Sequence, residues 1–449
     1  MCGICGFVNL DGGPADLALI ERMAASIAHR GPDGQGTKLD GALALGHRRL
    51  AILDPSRGVQ PMCNEERSVW ITYNGEIYNF PELHRQLAAK GHVFQTTCDT
   101  EALVHLWEDE GPRMVERLVG MFAFAIWDAK QQTLFLARDR LGIKPLYYAQ
   151  YGSRFAFASE LKAFCEDVEF PRTLRPDALA HYFCMGYILD PLTIFAHAHK
   201  LPPGCTMLCR MGQPIPSPSR YWQIRFRCGP ARSLEDWMSE YASRLDQTVK
   251  EHLLSDVPLG AFLSGGIDSS LIVDSMCRSA GESVRTFSIG FAEDDFDEHV
   301  FAEAVARRLK TDHLTRCLEP DVVELLSLLA RQYDEPFGDS SSLPTYMVSK
   351  LARERVKVVL SGDGGDEVFG GYPRYVATLD RSRLQPYVPS WLARAIEALG
   401  RPYPRGWRGR GWLDRRERAR AVSREGDRAV GVLVDAFAWR DDLLRLCSI

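Results

Sequence analysis

The sequence predicts two domains of different fold class, an α+β domain followed by an α/β domain. In residues 1–165 short apolar strand-like runs outnumber helical patterns, which is typical of stacked antiparallel sheets with helices packed on them. After residue 260 strand-like and helical patterns alternate, which predicts a parallel sheet with helices on both faces. Three prolines among the polar residues of 211–219 indicate a stiff, exposed connector. We therefore place the domains at 1–205 and 233–449, with a Pro-rich connector at 206–232.

Composition limits the class of protein. The 449 residues are enough for two domains, or three at most, and 45% of them are apolar. The net charge of −5 gives no general reason to expect nucleic acid or an anionic membrane as a partner. No apolar run reaches the roughly 18 residues of a membrane span. Twelve scattered cysteines in a chain of this size indicate reduced thiols, so we expect the cytoplasm.

The first domain is predicted from periodicity. Apolar residues recur at helical spacing in 17–28, and a Gly-Gly-Pro turn separates this helix from the opening strand. The segment 70–73 is a strand that leads into Asn-Gly-Glu, and 120–128 with 133–138 forms a strand pair. The remaining expected elements are strands 4–10, 146–148 and 155–158, helix 83–90, and an extended segment at 46–54.

Cys2 is the first candidate for chemistry. Removal of Met1 would leave a thiol and a free α-amine on one residue, and an amine with a pKa of roughly 7.7–8.0 can act as a base near neutral pH. A thiol with its own base is an activated nucleophile. The alternatives are a chance cysteine or a redox or metal pair with Cys5. A second Cys-x-x-Cys at zinc spacing is missing from the sequence, which argues against zinc.

The second domain is organised around a Ser-Gly-Gly-Ile-Asp-Ser loop at Ser264–Ser269. The loop follows a predicted strand at 261–264 and precedes a helix at 270–280, so its backbone N–H groups are expected to lie bare at a helix N-terminus, where phosphate binds. A second loop, Ser361–Glu367, follows the strand predicted at 356–360. Strand 284–291 and helices 245–254, 300–309 and 343–355 complete the alternation. Ligands of such sheets bind at the carboxyl ends of the strands, where both loops fall.

These motifs, in this order, resemble the glutamine-hydrolysing asparagine synthetase family through about residue 375. Residues 1–165 resemble a glutamine amidotransferase domain of the N-terminal-nucleophile type, and Ser264–Ser269 resembles the pyrophosphate loop of ATPases that release AMP and pyrophosphate. The resemblance implies an ATP-dependent carbon–nitrogen ligase with Mg²⁺. Its substrates would be glutamine, ATP and a carboxylate, with aspartate as the expected acceptor. The family also suggests a homodimer.

The resemblance assigns roles to individual residues. Cys2 would attack the glutamine amide, and Asn74 and Gly75 would hold the oxyanion. Glutamine itself would contact Arg49, Leu50, Ala51, Ile52, Leu53, Glu76 and Asp99, of which Arg49 would take the α-carboxylate and the two acids the α-ammonium. ATP would contact Leu263, Ser264, Gly265, Gly266, Asp268, Ser269, Ile289, Ser361 and Gly362. Asp363 would be catalytic, Asp268 and Asp366 would hold Mg²⁺, and the segment 334–342 would shape the acceptor pocket.

Two departures from the family pattern leave alternatives open. Asp363 occupies a position where typical members often carry Glu, which leaves open another acceptor carboxylate such as a sugar acid of a surface polysaccharide. After residue 375 we find neither the late Lys nor the late helical block of the family. A C-terminally truncated synthetase half is therefore expected, and a glutaminase without ligase turnover is the alternative. We expect the Arg-Gly-Trp stretch 405–412 to be a solvated connector and not to bind nucleic acid. RNA binding is the alternative for this stretch, and a non-catalytic scaffold is the third class.

Overall fold

The computed structural model describes residues 1–226, 229–280, 283–290, 299–317 and 322–384. The stretch 405–412 and the C-terminal departures therefore lie outside the described residues. The strands up to residue 220 are β1 (Gly3–Asn9), β2 (Gly34–Asp40), β3 (Leu43–Arg49), β4 (Met62–Cys63), β5 (Val69–Ile77), β6 (Gly120–Asp128), β7 (Thr133–Arg138), β8 (Tyr147–Tyr151), β9 (Arg154–Ala158), β10 (Ala198–Lys200), β11 (Cys205–Arg210) and β12 (Ser219–Arg220). The helices of this part are α1 (Leu17–Ser26), α2 (Phe80–Ala89), α3 (Asp99–Glu110) and α4 (Pro176–Met185).

The first domain is a layered α+β structure, as predicted. Its strands form two six-stranded antiparallel sheets, with orders β10-β8-β9-β1-β3-β2 and β12-β11-β7-β6-β5-β4. Successive side chains of β1 point to opposite faces of its sheet and so contribute to two different cores. Ile4 and Val8 belong to the core between the sheets, whereas Cys5 and Phe7 belong to the core under α1. Cys5 is thus a buried core residue that packs in the same cluster as α1.

The packing of the first domain continues beyond the predicted boundary at residue 205. Strand β11 pairs with β7, and Met207 and Cys209 are buried between the two sheets. Strand β12 returns antiparallel to β11, so the Pro-rich run 211–219 is the connection of a hairpin. The predicted connector therefore contains structure of the first domain. Clustered prolines predict a linker, but they equally suit a hairpin connection at a sheet edge.

The second domain is α/β with a parallel sheet, which confirms the prediction. Its order is β15-β14-β13-β16, with all three pairings parallel. One core packs it against α5, α6 and α7, and another against α9. Its elements are α5 (Leu234–His252), β13 (Leu259–Phe262), α6 (Ile267–Ala280), β14 (Arg285–Gly290), α7 (His299–Leu309), β15 (Asp312–Cys317), α8 (Val322–Tyr333), α9 (Ser342–Ala352), β16 (Val358–Leu360), α10 (Gly365–Phe369) and α11 (Pro373–Leu384).

Strand β15 is not predicted by the sequence pattern. Its residues, Asp-His-Leu-Thr-Arg-Cys, are mostly polar, and none of them is fully buried. An edge strand of this kind lacks the continuous apolar run that identifies the central strands of a parallel sheet.

Within the described residues, no helix combines the length and the apolar character that a membrane crossing requires.

The two domains meet through polar contacts and ring stacking. The rings of Tyr78 and His252 stack with centroids 3.7 Å apart. The backbone N–H of Asp54 donates to Asp256 Oδ2 at 2.8 Å. Lys357, the residue before β16, also crosses the junction and contacts Asp33 of the first domain. The parallel sheet of the second domain therefore lies directly against the loop that follows β3.

Candidate active sites

Cys2 lies in a cavity of the first domain, beside the loop that follows β3. Its Sγ lies 3.6 Å from the carbonyl oxygen of Leu50, and the Leu50 N–H donates to Sγ at 3.4 Å. Arg30 Nε donates to the Cys2 carbonyl at 2.9 Å. Burial raises the pKa of the Cys2 thiol, so the buried thiol needs a base to become a nucleophile.

Asn74 and Gly75 lie on β5, which extends four residues beyond the predicted strand 70–73. The side chain of Asn74 is 1% exposed, and its Nδ2 has no hydrogen-bond partner in the part of the chain that the structure describes. A buried unpaired amide costs stability unless a ligand pairs with it. Only glycine fits at position 75, because an added Cβ would lie 2.3 Å from the Met121 carbonyl oxygen. Both predicted oxyanion donors thus line the Cys2 cavity.

Arg49 ends β3, and the expected extended segment 46–54 bends there. The guanidinium donates to the carbonyls of Leu53, Asp54 and Pro55, at 3.3, 2.7 and 2.7 Å. Asp54 has a positive φ of 41°, which turns the chain back over Arg49. Three guanidinium contacts leave donors for a carboxylate, since arginine carries five. Leu50, Ile52 and Leu53 line the same cavity, whereas Ala51 is buried and donates its N–H to Asp33.

Glu76 and Asp99 form a buried acidic pair that lines the same cavity as Arg49. Asp99 Oδ2 accepts hydrogen bonds from Tyr73 Oη at 2.7 Å and from the Ile77 N–H at 3.0 Å. Burial, and after it the charge of Asp99, raises the pKa of Glu76 to about 7. Burial likewise raises the pKa of Asp99 to about 6. A cation bound between these acids would relieve their mutual repulsion, as the α-ammonium of an amino acid does.

Lys144 is a member of this cavity that the sequence did not identify. It follows β7 in a Gly-Ile-Lys-Pro turn, is buried, and places Nζ 3.2 Å from Met1 Sδ. Burial, followed by the charge of Arg30, lowers the pKa of Lys144 to about 8. Burial also lowers the pKa of the Met1 amine to about 5. Burial thus keeps the Met1 amine neutral at neutral pH.

The Cys2 cavity reaches the second domain. Its volume is about 340 Å³, and besides the first-domain residues it is lined by Lys357, Val358 and Val359 of the β16 region. Lys357 Nζ donates to Asp33 Oδ2 at 2.8 Å, and the same oxygen accepts the Ala51 N–H at 2.9 Å. The sequence pattern does not indicate these three cavity residues from the second domain, because periodicity does not reveal how two domains dock.

The Ser264–Ser269 loop follows β13 at the carboxyl edge of the parallel sheet. Gly265 has a φ of +83°, and an added Cβ would lie 2.6 Å from the backbone of α7. The expectation of bare N–H groups is only partly met. Ser264 N–H donates to Ser269 Oγ at 3.3 Å and Gly266 N–H donates to Ser264 Oγ at 3.2 Å. The loop therefore presents serine hydroxyls and the first turn of α6 together.

The Ser361–Glu367 loop packs directly on the first loop. An added Cβ at Gly362 would lie 2.7 Å from the Ser269 nitrogen, and one at Gly365 would lie 2.4 Å from the Asp268 carboxyl carbon. Asp363 Oδ2 accepts from Ser361 Oγ at 2.9 Å. The carboxylate of Asp366 lies against Gly371, where an added Cβ would approach its Oδ1. The tertiary structure thus joins two loops that are about ninety residues apart in sequence.

A second cavity of about 220 Å³ opens beside these loops. It is lined by Leu263, Ser264 and Ile289, together with residues of α7 and α9. This cavity brings Ile289 to the predicted nucleotide site. By contrast, Asp334 and Glu335, at the start of the segment expected to shape the acceptor pocket, point at the first domain. Their carboxylates pair with Lys162 and Lys200 at 2.9 and 3.0 Å.

Taken together, the two sites define a class of protein: an amidotransferase-type domain with a cysteine beside its N-terminus, joined to a parallel-sheet domain of the pyrophosphate-loop type. The family described as "Glutamine amidotransferase domain" matches residues 1–222, and the family described as "Asparagine synthase" matches residues 240–440. The first match ends beyond β12, in agreement with the extended first domain.

Curated relatives cover both halves. Asparagine synthetase (glutamine-hydrolyzing) 1 of Bacillus subtilis is 37% identical over 425 residues, covering 92% of this chain and 66% of the relative. Putative asparagine synthetase (glutamine-hydrolyzing) 2 of Methanocaldococcus jannaschii is 39% identical over 395 residues, covering 83% of this chain and 76% of the relative. The chain thus spans about two thirds of the length of the first relative. It belongs to the glutamine-hydrolysing asparagine synthetase family.

Among solved structures, glutamine phosphoribosylpyrophosphate amidotransferase from B. subtilis aligns with a TM-score of 0.40 and 16% identity, covering 75% of this chain and 94% of that one. A likeness at this level carries no argument about function.

Proposed function

We propose that this chain is an ATP-dependent ligase that hydrolyses glutamine at Cys2 and transfers the ammonia to a carboxylate, which we infer to be the side chain of aspartate. The single observation that carries the proposal is the arrangement of charges around Cys2. Arg49 offers a cation for an α-carboxylate, and Glu76 and Asp99 offer anions for an α-ammonium. The unpaired Asn74 amide lines the same cavity as the thiol. An L-glutamine side chain matches this set.

The first reaction is acyl transfer to sulfur. After removal of Met1, the α-amine of Cys2 takes the thiol proton, and Sγ attacks the amide carbon of glutamine. Asn74 Nδ2–H and the Gly75 N–H receive the oxyanion. Collapse of the intermediate breaks the C–N bond, the amine returns the proton, and ammonia leaves. Water then hydrolyses the thioester to glutamate and restores the thiol.

Ammonia would reach the second site along β16. Val358 and Val359 line the Cys2 cavity, and the same strand leads within a few residues to the Ser361–Glu367 loop. Met121 adds a further apolar contact to the cavity wall. An apolar lining keeps ammonia neutral, because burial disfavours the charged ammonium.

At the second site ATP would be cleaved to AMP and pyrophosphate. Leu263, Ser264, Gly265, Gly266, Ser269, Ile289, Ser361 and Gly362 are the proposed nucleotide contacts. Asp268 and Asp366 supply hard oxygen ligands, so they would hold Mg²⁺, which neutralises phosphate charge. The carboxylate of aspartate attacks the α-phosphorus to form the adenylate, and ammonia displaces AMP. Asp363, at the start of the acidic turn, would act on the ammonia or the adenylate.

Asp363 also favours a second candidate. A shorter acid than the family's usual Glu alters reach but not charge, which suits another acceptor carboxylate such as a sugar acid. If the second site does not turn over, the same proposal is limited to glutamine hydrolysis without ligation.

We further propose a cytoplasmic homodimer. The ten described cysteines are all free, in keeping with a reducing compartment. Light scattering on the purified chain tests the dimer.

The test uses glutamine labelled with ¹⁵N in its side chain, with ATP, Mg²⁺ and aspartate, followed by NMR. We expect labelled asparagine together with AMP. The Cys2→Ala variant should lose synthesis from glutamine and keep synthesis from added ammonia. Labelled ammonia without asparagine would contradict the aspartate assignment, and a panel of sugar acids then tests the second candidate. Formation of ADP in place of AMP would exclude the adenylate step.

A further inference from the structure

Away from both sites, three potential metal ligands converge between the loop after α2 and the helix α3. His92 lies in the loop, while His105 and Glu108 lie three residues apart on one face of α3. In this group the two imidazoles present the same nitrogen, Nδ1, to each other. His105 is 1% exposed, whereas Glu108 opens to solvent. The group is therefore buried on the side of His105 and open to solvent on the side of Glu108.

The distances among the three ligand atoms suit a tetrahedral ion. His92 Nδ1 lies 3.1 Å from His105 Nδ1, which lies 3.0 Å from Glu108 Oε2, and the third edge is 3.7 Å. The point equidistant from all three atoms lies about 1.9 Å from each, slightly less than the roughly 2.0–2.1 Å of zinc–nitrogen and zinc–oxygen bonds. An ion displaced a little out of their plane meets those bond lengths without movement of the side chains.

Neighbouring side chains orient two of the ligands. His92 Nε2 bonds to Asp109 Oδ1 at 3.0 Å, which fixes the proton on Nε2 and leaves Nδ1 as the electron-pair donor. Asn64 Nδ2 donates to Glu108 Oε1 at 2.8 Å and leaves Oε2 turned to the histidines. Outer-shell bonds of this kind are typical of metal sites, because they hold the ligand atoms in place before the ion arrives.

We propose that His92, His105 and Glu108 form a binding site for a divalent transition-metal ion of the zinc class, with the fourth position open to solvent. Two imidazoles and one carboxylate are a ligand set that zinc accepts. The site is independent of the proposed ligase chemistry.

In the metal-free protein a proton occupies this place. One of the facing Nδ1 atoms must carry hydrogen for a contact of 3.1 Å, and His92 is committed to Asp109 through Nε2. Metal must therefore displace the Nδ1 proton. His105 Nε2 has no hydrogen-bond partner among the described residues and lies 3.9 Å from Glu101.

The bound ion would connect the loop after α2 to helix α3. The carboxylate of Glu101 already binds the N–H groups of Gln95 and Thr96, both at 2.7 Å. A His92–metal–His105 link adds a second attachment a few residues earlier in the loop. The first residue of α3 is Asp99, which lies in the Cys2 cavity. The ion is thus expected to stabilise this part of the first domain.

The test measures metal binding on the full chain after dialysis against EDTA. We expect Zn²⁺ and Co²⁺ to bind with one equivalent that His92→Gln and Glu108→Gln weaken at least tenfold. Bound Co²⁺ should show the visible spectrum of a tetrahedral site without a thiolate charge-transfer band, which separates this site from cysteine binding.

His84→Gln is the matched control, because His84 stacks on Phe94 near the site but is not one of its ligands. Zn²⁺ should raise Tm in the wild type and in His84→Gln, and leave Tm unchanged in the two ligand variants. All four proteins should unfold at similar temperatures in EDTA, which shows that the variants are folded. Equal affinity in wild type and Glu108→Gln, or a thiolate band, would overturn the proposal.

Discussion

Lys357 Nζ lies 2.8 Å from Asp33 Oδ2 and joins β16 of the second domain to the loop around Cys2. Asp33 uses the same oxygen to hold the N–H of Ala51, within the segment predicted to bind glutamine. Although burial favours the neutral acid, Lys357 and the Ala51 N–H lower the pKa of Asp33. Asp33 is therefore ionised at neutral pH. Its contacts with Lys357 and Ala51 connect the residue before β16 to the segment predicted to bind glutamine.

We expect Lys357→Met to uncouple the two proposed reactions. Glutamine hydrolysis should continue, but the asparagine formed per glutamate released should fall severalfold, because the docking of β16 on the cavity is loosened. The stability cost should stay below about 1 kcal/mol, since both partners are partly exposed. Ratios of the two products by chromatography measure the coupling. Lys350→Met, on the exposed side of α9, is the control, and equal ratios in both variants would contradict the role of the pair.

Asn74→Ala should remove one oxyanion donor. We expect kcat for glutamine hydrolysis to fall by about 10²–10³ with a small change in KM, because the contact forms in the transition state. Synthesis driven by added ammonia should be unchanged, which checks that the protein is folded. A loss below fivefold would show that the unpaired amide is not an oxyanion donor.

Glu76→Gln should weaken glutamine binding and stabilise the fold. The pKa of Glu76 is raised to about 7, so the folded state holds a proton that the unfolded chain loses near pH 4. Stability from this group is therefore lost as the pH rises from about 4 to about 7. The variant does not have this loss. Its free energy of unfolding should therefore exceed that of the wild type by about 1–3 kcal/mol above pH 7, but not at pH 4.

The same substitution should raise KM for glutamine at least tenfold at pH 8, where the wild-type carboxylate is charged. In the wild type KM should rise as the pH falls through 7, because protonation removes the partner of the α-ammonium. Denaturant titrations and initial rates across pH measure both effects. Glu82→Gln on the exposed face of α2 is the control. An unchanged KM would separate Glu76 from substrate binding.

Gly365→Ala should inactivate the second site alone. The new Cβ would lie 2.4 Å from the Asp268 carboxyl carbon and would displace that carboxylate. We expect aspartate-dependent exchange of pyrophosphate into ATP to fall below a hundredth of wild type, with glutamine hydrolysis intact. Gly229→Ala, where no atom lies within 4 Å of the added Cβ, serves as the control. Exchange near the wild-type rate would contradict the proposed contact between the two loops and the nucleotide.

The two fold classes and the family follow from the amino-acid sequence, which also predicts the site residues. These features are carried by contiguous patterns: apolar periodicity, a Gly-Gly turn between strand and helix, and a cysteine beside the N-terminus. Local backbone chemistry is sufficient for them, since a turn or a strand depends mainly on its own residues. For that reason the roles of Cys2, Asn74 and the Ser264–Ser269 loop are predicted from their immediate sequence neighbours.

Which distant side chains meet is a property of the tertiary structure. The burial of Lys144 beside Met1, the reach of Lys357 to Asp33, and the convergence of His92 with His105 depend on sheet register and domain docking. The continuation of the first domain through β11 likewise depends on pairing with a strand some seventy residues earlier. A lone lysine or histidine has the same local pattern on the surface as in a site, because its role comes from neighbours that are remote in sequence.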